Sequence, residues 1–542
     1  MPSDSRAAVV VVGAGPSGAV LSLRLAQAGL SVICMEQGEW PRFRAGLAAE
    51  PAGTPGGQTP AFSLEAVRDL DGNPSRRRSS GDYPIDEAAS DITPIMWNGV
   101  GGGSVAYLAQ WTRSLPSDFR VRTLDGVADD WPLTYAELEP YYARVEADFR
   151  ISGTAGDPAY PAGNAPPHPA VRLPEGALRV AEAHRDLGWH WWPGSNALHT
   201  GPGEDGCTDL GVCRFGCPRD AKGSAHRTHW PRALGLGVRL ITGAHVHRVE
   251  TDTAGRATGV LYVSTDGVQH RVHADAVVLA GNGIGTPRLL LASASNRFPD
   301  GLANSSGLVG RRLMMHPFGT VVGLFDDDLG TGAAAWGQLL YSLQFYETDP
   351  ARGFVRGAKW GLVPTGRPET ITRSYPWGER PIWGASFHEE VARRFNRSIG
   401  WGIIAEDLPD EDNYVDLSPT LTDRWGMPAP AVHYRLSENS RAILEFNLAR
   451  AAESLTAAGA RETIVAPLIR ESGWHILGTC VMGTDPARSV VDRFGRTHDV
   501  PNLFVADGSV WPTSSGTNPT ATVAAMALRQ AEHLVATMRV AA

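Results

Sequence analysis

The chain has 542 residues, of which 42% are hydrophobic and 20% are charged, and it carries a formal net charge of -9. This length allows a large core and more than one domain. The negative charge argues against a nucleic-acid partner, because phosphate binding needs clustered Lys and Arg. No stretch approaches the ~18 apolar residues of a membrane span, and no signal peptide precedes the first strand, so a cytoplasmic location is predicted.

The first 36 residues have the pattern of a strand, a turn, a helix and a second strand. Ala8–Val12 is a short β-branched run, typical of a buried parallel strand. Apolar residues then recur at helical spacing until Gly29 ends the helix, and Ser31–Met35 forms the next strand. This order predicts a strand–helix–strand unit at the N-terminus.

The turn between the first strand and the helix carries a glycine fingerprint. Gly13, Gly15 and Gly18 fit the pattern G-x-G-x-x-G. They allow a tight turn, the approach of a pyrophosphate and close helix–strand packing, and the helix N-terminus favours the phosphates. Glu36, at the end of the second strand, can accept hydrogen bonds from two ribose hydroxyls. A dinucleotide site is predicted, but the motif does not choose between FAD and NAD, and an ordinary glycine-rich turn is the alternative.

The middle of the chain mixes irregular and regular stretches. Residues 44–95 are rich in Gly, Pro, Ser and charge, which predicts a surface excursion or lid. Thr134 and Glu137 form a capping box that opens a helix through about Phe149. Short strands are predicted at 239–241, 244–250, 258–264, 270–273 and 276–280.

Two of these strands contain predicted cofactor contacts, Val246 and Ala280. Thr286-Pro287 follows them and predicts a helix N-cap with proline at the first helical position. Residues 319–470 mix strand-like runs and turns, so most of a second domain is placed there. The last segment, Leu503–Met538, has the pattern of a strand, a loop and a long helix.

A second glycine-rich loop lies at residues 99–104. Its backbone at Gly102, Gly103 and Ser104 could lie flat against a planar ring, although a flexible linker is the alternative. Asp507 follows an apolar run, so its carboxylate is expected at the end of a strand. There it could bind the hydroxyl groups of a sugar-like chain in a bound cofactor.

Asn518, Pro519 and Thr520 open the last helix. The pattern predicts Asn518 at the N-cap and Pro519 at the first helical position. An Asn–Pro pair at a helix start often has a purely structural role, because the Asn oxygen accepts hydrogen bonds from helix amides.

Together these motifs resemble the glucose-methanol-choline (GMC) oxidoreductase family. The resemblance rests on the N-terminal fingerprint, GWHILGTCVMG at 473–483, and the segment from Val491 to Pro519 that contains NLFVADGS. DWPLTY from Asp130, VVLAGNGIGTPR from Val277 and His316-Pro317 are similar to the branch of bacterial sugar and sugar-acid dehydrogenases, with pyranose oxidases more distant. The similarity covers nearly the whole chain apart from the 45–95 region.

The resemblance implies an α/β fold in which a Rossmann-like FAD-binding domain is built from discontinuous segments. A second, α+β substrate domain is expected to turn an antiparallel sheet toward the flavin. The expected division is FAD-binding domain at 1–45, 96–130, 231–318 and 471–542, surface insertion or lid at 46–95, cap region at 131–230, and substrate-binding domain at 319–470.

The resemblance also implies the catalytic pair, because His475 and Asn518 stand at the family's catalytic positions. His475 is expected to accept the hydroxyl proton while the carbinol hydride moves to flavin N5. A neutral imidazole suits this task, since its ordinary pKa is ~6.5. Asn518 would hydrogen-bond the same oxygen without competing as a base. Electrons would then leave to oxygen, a quinone or a carrier protein.

Two further expectations concern cofactors. Relatives that attach FAD covalently do so through a histidine just after the glycine loop, and Ser104–Tyr107 contains none, so non-covalent FAD is expected. Cys207, Cys213 and Cys217 have a spacing similar to that of cluster-bearing dehydrogenase subunits, which raises the hypothesis of a [3Fe–4S] centre. Thr208 departs from that pattern, and structural thiols or a disulfide are the alternatives.

Three other functions stay open at this stage. The chain could be an oxidase that produces hydrogen peroxide, although the branch resemblance favours a dehydrogenase. It could be a non-catalytic flavin-binding sensor, against which the presence of both His475 and Asn518 argues. An NAD-linked dehydrogenase is the third alternative.

Overall fold

The computed structural model describes residues 4–41, 83–203, 205–211, 213, 217, 219–372 and 382–541. Its strands are β1 (Asp4–Val12), β2 (Val32–Met35), β3 (Asp86–Ser90), β4 (Ser152–Gly153), β5 (His168–Pro169), β6 (Trp192–Pro193), β7 (Arg239–Ile241), β8 (His245–Thr251), β9 (Ala257–Val263), β10 (Gln269–Leu279), β11 (Phe318–Leu324), β12 (Leu340–Ser342), β13 (Ala358–Pro364), β14 (Ser398–Ala405), β15 (Tyr414–Thr422), β16 (Pro428–Tyr434), β17 (Glu462–Ala466) and β18 (Leu503–Val505).

The α-helices of these residues are α1 (Pro16–Gln27), α2 (Val121–Asp125), α3 (Tyr135–Asp148), α4 (Glu175–Leu187), α5 (Ala225–Thr228), α6 (Trp230–Gly235), α7 (Asn282–Ala292), α8 (Pro368–Ile371), α9 (Phe387–Arg394), α10 (Glu438–Ala457) and α11 (Thr520–Ala541). None of the described helices combines the length and the apolar character that a bilayer crossing requires.

The larger sheet has seven strands and forms the α/β part of the fold. Its order is β7-β2-β1-β10-β9-β8, and β18 also pairs with β10. The five strands β7, β2, β1, β10 and β18 run parallel, whereas β9 and β8 are antiparallel additions. Because β18 comes from the C-terminal part of the chain, the sheet is assembled from discontinuous segments, as predicted. The predicted strand–helix–strand unit is confirmed in β1, α1 and β2.

β10 replaces the two short strands predicted at 270–273 and 276–280. Along one edge it pairs with β1 over almost its whole length. Along the other edge its first half pairs with β9 and its last three residues pair with β18. In the first half of β10, buried and more exposed residues alternate, whereas the second half is buried on both faces. This change of pattern made one strand look like two in the sequence.

The second sheet has six strands, all antiparallel, in the order β17-β11-β14-β13-β12-β6. Every residue of β11, β13 and β14 is buried, so the centre of the sheet is covered on both faces. The long helix α10 packs across β11, β14 and β17. This sheet confirms the antiparallel sheet expected for the second domain.

Part of the segment predicted as a surface excursion belongs to the folded body. β3 runs parallel to β16 in a small sheet with β15. Tyr83, Ile92 and Met96 are buried in one apolar cluster with Ile476. For residues 83–95 the prediction of an irregular surface stretch is therefore wrong, because a few well-spaced apolar side chains suffice to anchor this polar sequence. The rest of the predicted lid, up to residue 82, lies outside the described residues.

Two predicted helix starts have different outcomes. The capping box is confirmed at α3, where Glu137 N–H donates to the Thr134 hydroxyl and Thr134 N–H donates to the Glu137 carboxylate. The N-cap predicted at Thr286-Pro287 is wrong, because α7 begins at Asn282 and Pro287 lies inside it.

A proline inside a helix leaves one carbonyl without its amide donor. In α7 that carbonyl is Gly283 C=O, and the hydroxyl of Thr479 donates to it at 2.8 Å. Asp507 completes the helix start, since its carboxylate accepts from Asn282 N–H at 2.9 Å. The donor Thr479 and the acceptor Asp507 both come from the C-terminal part of the chain, so no local pattern in α7 reveals them.

Candidate active site

The glycine fingerprint forms a tight turn against the end of the neighbouring strand β10. Gly13 has φ +109°, and a Cβ there would lie 2.4 Å from the Ala280 carbonyl oxygen. A Cβ at Gly18 would lie 2.0 Å from the Gly13 carbonyl oxygen. Side chains are therefore excluded at both positions, and predicted cofactor contact Ala280 stands directly beside the turn.

The N-terminus of α1 is left open toward this turn. Gly15 is its N-cap residue, no side chain caps the helix, and its first turn contains no acidic residue. The first amides of a 12-residue helix therefore keep their donor capacity and their partial positive charge. This end of the helix fits the pyrophosphate of a dinucleotide.

The second glycine loop touches the first, backbone against backbone. Gly101 N–H donates to the Ala14 carbonyl at 2.9 Å. Gly102 has φ +52°, and a Cβ there would lie 2.7 Å from the Gly15 Cα. Gly103 is exposed, and a Cβ at this residue would meet open space. The two loops together make a side-chain-free cradle.

Ser104 has a structural contact pattern. Its hydroxyl donates to the Gly101 carbonyl at 2.6 Å and accepts from Ala225 N–H at 3.0 Å. The hydroxyl thus fastens the second glycine loop to the start of α5, so any contact of Ser104 with a cofactor would come mainly from its backbone.

Glu36 lies at the end of β2, next to the fingerprint. Its two carboxylate oxygens accept from Ala14 N–H and Gly38 N–H, each at 2.9 Å. Burial raises the pKa of this carboxyl. Each oxygen retains a lone pair, so Glu36 can still accept from ribose hydroxyls. Val246 lies in β8, two residues after Ala244, whose N–H donates to the Glu36 carbonyl.

Asp507 is more fully engaged than the sequence suggested. Besides the Asn282 amide, it accepts from the Thr286 hydroxyl at 2.6 Å and from Ser509 N–H at 2.9 Å. Burial raises the pKa of the carboxyl. Its main visible task is to join β18 to the N-terminus of α7, with one acceptor position left for a cofactor hydroxyl.

Two backbone pairings bring His475 and His316 side by side. Pro94 pairs with Gly473, and Met314 pairs with Leu477 through reciprocal N–H···O=C bonds of 3.0 Å. His475 is held between these two bridges, and His316 lies two residues beyond Met314. A Cβ at Gly473 would lie 2.6 Å from the Thr93 carbonyl oxygen, so the close approach needs glycine.

The two imidazoles share a hydrogen bond that determines their tautomers. His316 Nδ1 lies 2.8 Å from His475 Nδ1, and His316 Nε2 lies 3.3 Å from the Ser514 carbonyl oxygen. A carbonyl only accepts, so His316 Nε2 carries the proton and His316 Nδ1 must accept. His475 Nδ1 therefore donates, which leaves His475 Nε2 as the unprotonated nitrogen.

Burial keeps both rings neutral. Burial lowers the pKa of His316 to about 4, and it lowers the pKa of His475 well below its usual value of 6.5. The positive charge of Lys359 acts in the same direction on both. His475 is only 8% exposed, and its Nε2 makes no hydrogen bond to the described residues. The arrangement presents a neutral base with its acceptor nitrogen unengaged.

Asn518 is held by a residue that the sequence analysis missed. Lys359 Nζ donates to Asn518 Oδ1 at 2.8 Å and to Gln110 Oε1 at 3.1 Å. Since an ammonium only donates, the amide nitrogen of Asn518 points away from the lysine and remains a donor. Burial lowers the pKa of Lys359 to about 7.

The predicted N-cap role of Asn518 is wrong. α11 begins at Thr520, so Pro519 occupies the position just before the helix and Asn518 precedes it. The oxygen of Asn518 accepts from Lys359 and not from helix amides. Pro519 and Thr520 stay predicted cofactor contacts, at the start of a helix whose first turn has no acidic residue.

The cysteine cluster gives the iron–sulfur hypothesis no support. Among the residues that the structure describes, no three or more His, Cys, Asp or Glu side chains are placed to hold a metal ion. Cys207, Cys213 and Cys217 are free thiols. Burial raises the pKa of the Cys207 thiol and raises that of Cys213 to about 12.

Some residues of this site could have been found from the sequence. Lys359 is a single charge in the otherwise apolar run of β13, and a charge in a fully buried strand signals a special role. His316 was visible only as part of a family-like segment. Its pairing with His475 depends on a contact between residues 159 positions apart, which no local pattern reveals.

A glycine cradle at an open helix N-terminus, a neutral base and a fixed amide are the features expected of a nucleotide-dependent oxidoreductase. GMC oxidoreductase family matches cover residues 8–318 and 409–527, and the chain belongs to this family. The match confirms the predicted FAD-dependent oxidoreductase acting on CH–OH groups of alcohols or sugars.

The chain is similar to proteins of known activity over nearly its whole length. It is 38% identical to 2-methyl-1,2-propanediol dehydrogenase of Mycolicibacterium austroafricanum, over 97% of this chain and 94% of that protein. It is 31% identical to the fructose dehydrogenase large subunit of Gluconobacter japonicus, over 97% of each. The structure of pyridoxine 4-oxidase from Mesorbium loti shares the fold, with a TM-score of 0.65 and 19% identity over 97% of this chain and 98% of that one.

Proposed function

We propose that the chain is a dehydrogenase that oxidises the CH–OH group of a diol, polyol or sugar to a carbonyl, with His475 as the base. The observation that carries this proposal is the hydrogen bond from His475 Nδ1 to His316, which leaves His475 Nε2 ready to accept a proton. When bound, FAD supplies the two-electron oxidant whose N5 accepts the carbinol hydride. The names of the relatives at 38% and 31% identity support the substrate class.

In the proposed mechanism, His475 Nε2 takes the proton of the substrate hydroxyl as the hydride leaves the same carbon. Burial keeps His475 uncharged at neutral pH, so no proton must be lost before the substrate binds. The amide nitrogen of Asn518 donates to the same oxygen and holds it in place, and Lys359 fixes the orientation of that amide. His316 keeps His475 in the required tautomer.

The residues proposed to hold FAD surround the two glycine loops. Gly13, Gly15 and Gly18 with the start of α1 would take the pyrophosphate, and Glu36 the adenosine ribose. The other predicted contacts keep the same assignment, at Gly102, Gly103, Ser104, Val246, Ala280, Asp507, Pro519 and Thr520. The proposal also keeps the division of the chain predicted from the sequence, with a substrate-binding domain at 319–470, and the predicted cytoplasmic location.

The direct test is anaerobic reduction of the purified, FAD-loaded protein. Diols, polyols and sugars are expected to bleach the visible flavin absorption within minutes of mixing. On admission of air, slow return of the absorption with little hydrogen peroxide is expected for a dehydrogenase. Rapid formation of hydrogen peroxide would show that the protein is an oxidase and not a dehydrogenase. If no compound bleaches the flavin, a non-catalytic flavin-binding sensor becomes the better description.

FAD is expected to leave the protein when it unfolds. Tyr107, at the end of the loop where relatives carry an attachment histidine, donates its hydroxyl to the Gly223 carbonyl at 2.5 Å, and no histidine stands at 104–107. Heat or acid precipitation should therefore release yellow flavin into the supernatant. Flavin that stays with the precipitated protein would contradict non-covalent binding.

A further inference from the structure

Asp407 is a buried carboxyl group close to the segment that carries His316. Ala405, the last residue of β14, donates its N–H to the Pro317 carbonyl at 3.0 Å, so the chain that leaves β14 runs alongside residues 315–317. Asp407 is 1% exposed, and no described Lys, Arg or His lies within ion-pair distance of its carboxyl group. Burial raises the pKa of this carboxyl to about 7. Burying a carboxyl group without a counter-charge costs free energy, so its hydrogen bonds need a reason.

The carboxyl oxygens of Asp407 accept hydrogen bonds from three parts of the chain. Oδ2 accepts from Met315 N–H at 3.1 Å and from the Tyr434 hydroxyl at 2.8 Å. Oδ1 accepts from the Ser440 hydroxyl at 2.9 Å, in the first turn of α10. Because Met315 immediately precedes His316, the side chain of Asp407 fixes the backbone on the N-terminal side of that histidine.

The backbone of Asp407 fixes the group to which His316 donates. Asp407 N–H donates to Ser514 Oγ at 2.9 Å, and the Ser514 hydroxyl donates to the Asp407 carbonyl at 2.7 Å. The Ser514 carbonyl in turn lies 3.3 Å from His316 Nε2. The next residue, Ser515, has φ +51°, a conformation that a non-glycine residue keeps only when its neighbours hold it. The two reciprocal bonds therefore keep the Ser514 carbonyl in line with the imidazole.

These attachments determine which nitrogen of His475 carries the proton. While the Ser514 carbonyl accepts from His316 Nε2, His316 Nδ1 must accept from His475 Nδ1, and His475 Nε2 stays unprotonated. If the Ser514 carbonyl or the His316 backbone shifts, His316 can carry its proton on Nδ1 instead. His475 Nδ1 would then accept, and the proton of the neutral His475 ring would lie on Nε2, where the substrate hydroxyl needs an acceptor.

We propose that Asp407 is a positioning residue for the oxidation, acting through Ser514 and His316 to hold His475 in the tautomer that accepts a proton at Nε2. Asp407 is assigned no contact with substrate or flavin, since both of its carboxyl oxygens are already engaged. The inference rests on the proposed function, because it takes His475 as the base.

Two variants of Asp407 test the role of its hydrogen bonds in the FAD-loaded enzyme. Asp407→Ala removes the acceptors and is expected to slow flavin reduction at saturating alcohol about 10- to 100-fold, with the KM for the alcohol and the FAD content unchanged. Asp407→Asn should keep most of the rate, because its amide oxygen still accepts from Met315 N–H and its amide nitrogen can donate to Ser440 Oγ.

A tie that only stabilises the fold would use the same hydrogen bonds, so the His475 tautomer is measured directly. NMR of the enzyme with ¹⁵N-labelled histidine, without substrate, distinguishes protonated from unprotonated ring nitrogens, and the spectrum of His475→Ala identifies the His475 signals. In the unchanged enzyme Nδ1 of His475 should be protonated and Nε2 should not. In Asp407→Ala part of the population should carry the proton on Nε2.

A control variant and a second background separate positioning from stability. Asp423 is another buried carboxylate, in the turn before β16, and it pairs with Arg288 at 2.7 Å. Asp423→Asn should lower the melting temperature by removing the counter-charge of Arg288, yet flavin reduction should keep its rate. In the His316→Leu background, Asp407→Ala should cause no further loss of rate, because Asp407 acts through His316.

The outcomes separate this inference from the proposed function. If Asp407→Ala leaves the His475 tautomer unchanged, or slows flavin reduction by the same factor with and without His316, the positioning role is wrong and the alcohol oxidation stands. If the tautomer shifts in Asp407→Ala but no alcohol or sugar reduces the flavin, the proposed function falls and the hydrogen-bond chain from Asp407 to His475 stands.

Discussion

Replacement of His475 by alanine is expected to lower the rate of flavin reduction by substrate about 10³-fold, while FAD stays bound. The variant removes the neutral base whose acceptor nitrogen is fixed by its hydrogen bond to His316. The backbone pairings of Gly473 and Leu477 on either side do not involve the imidazole, so the loop should keep its path. Stopped-flow absorption under anaerobic conditions measures the rate directly.

The control for this variant is His388→Ala, which changes an exposed histidine on α9. It should reduce its flavin at the rate of the unchanged protein. An unaltered rate in His475→Ala, with normal FAD content, would show that another group removes the proton.

The pH profile of the unchanged enzyme gives a second check on His475. The base must be unprotonated, and burial lowers its pKa well below 6.5. With a neutral alcohol, kcat/KM should therefore stay level as pH falls to 6.5 and drop only at more acidic pH. An acid limb centred at or above 6.5 would contradict the buried, neutral imidazole.

Replacement of His316 by leucine is expected to slow flavin reduction about 100-fold without loss of FAD. His316 does not need to contact substrate; it acts by accepting from His475 Nδ1 and donating to the Ser514 carbonyl. Without it, His475 can place its proton on Nε2, where the proton blocks the accepting nitrogen. The effect should fall on kcat, since no substrate contact is removed.

Asparagine at position 316 offers the conservative comparison. Its oxygen can accept from His475 Nδ1 and its amide nitrogen can donate to Ser514, so His316→Asn should recover part of the rate. A purely structural role for His316 would instead make the two variants follow their melting temperatures, with no relation to hydrogen-bonding capacity.

Local sequence patterns predicted much of the fold because the physics involved is local. The β-branched run before the glycine fingerprint, the capping box of α3 and the apolar run before Asp507 each depend on neighbours within a few residues. The fingerprint glycines are informative for the same reason, since Gly13 and Gly18 exclude a Cβ by contacts with the turn itself and with one adjacent strand.

The features that were missed depend on partners far apart in the sequence. β10 looked like two strands because its second edge changes partner from β9 to β18. Asn518 looked like a helix cap because its real partner, Lys359, lies 159 positions away. Residues 83–95 looked like surface because their few apolar side chains find a core that only the folded chain provides.

The candidate site divides in the same way. Sequence resemblance led to His475 and Asn518, which carry the proposed chemistry. It did not lead to His316 or Lys359, which orient those two residues. Orientation depends on hydrogen-bond partners, and these become visible only when coordinates place them within 3.5 Å.

The start of α7 has a consequence for when the protein can fold during its synthesis on the ribosome. This helix follows β10 in mid-chain, yet its proline-interrupted first turn is completed by Thr479 and Asp507, which are translated about two hundred residues later. A nascent chain cannot finish this turn until Asp507 has been made. The seven-stranded sheet is therefore completed late, by the same C-terminal segment that contains His475 and Asn518.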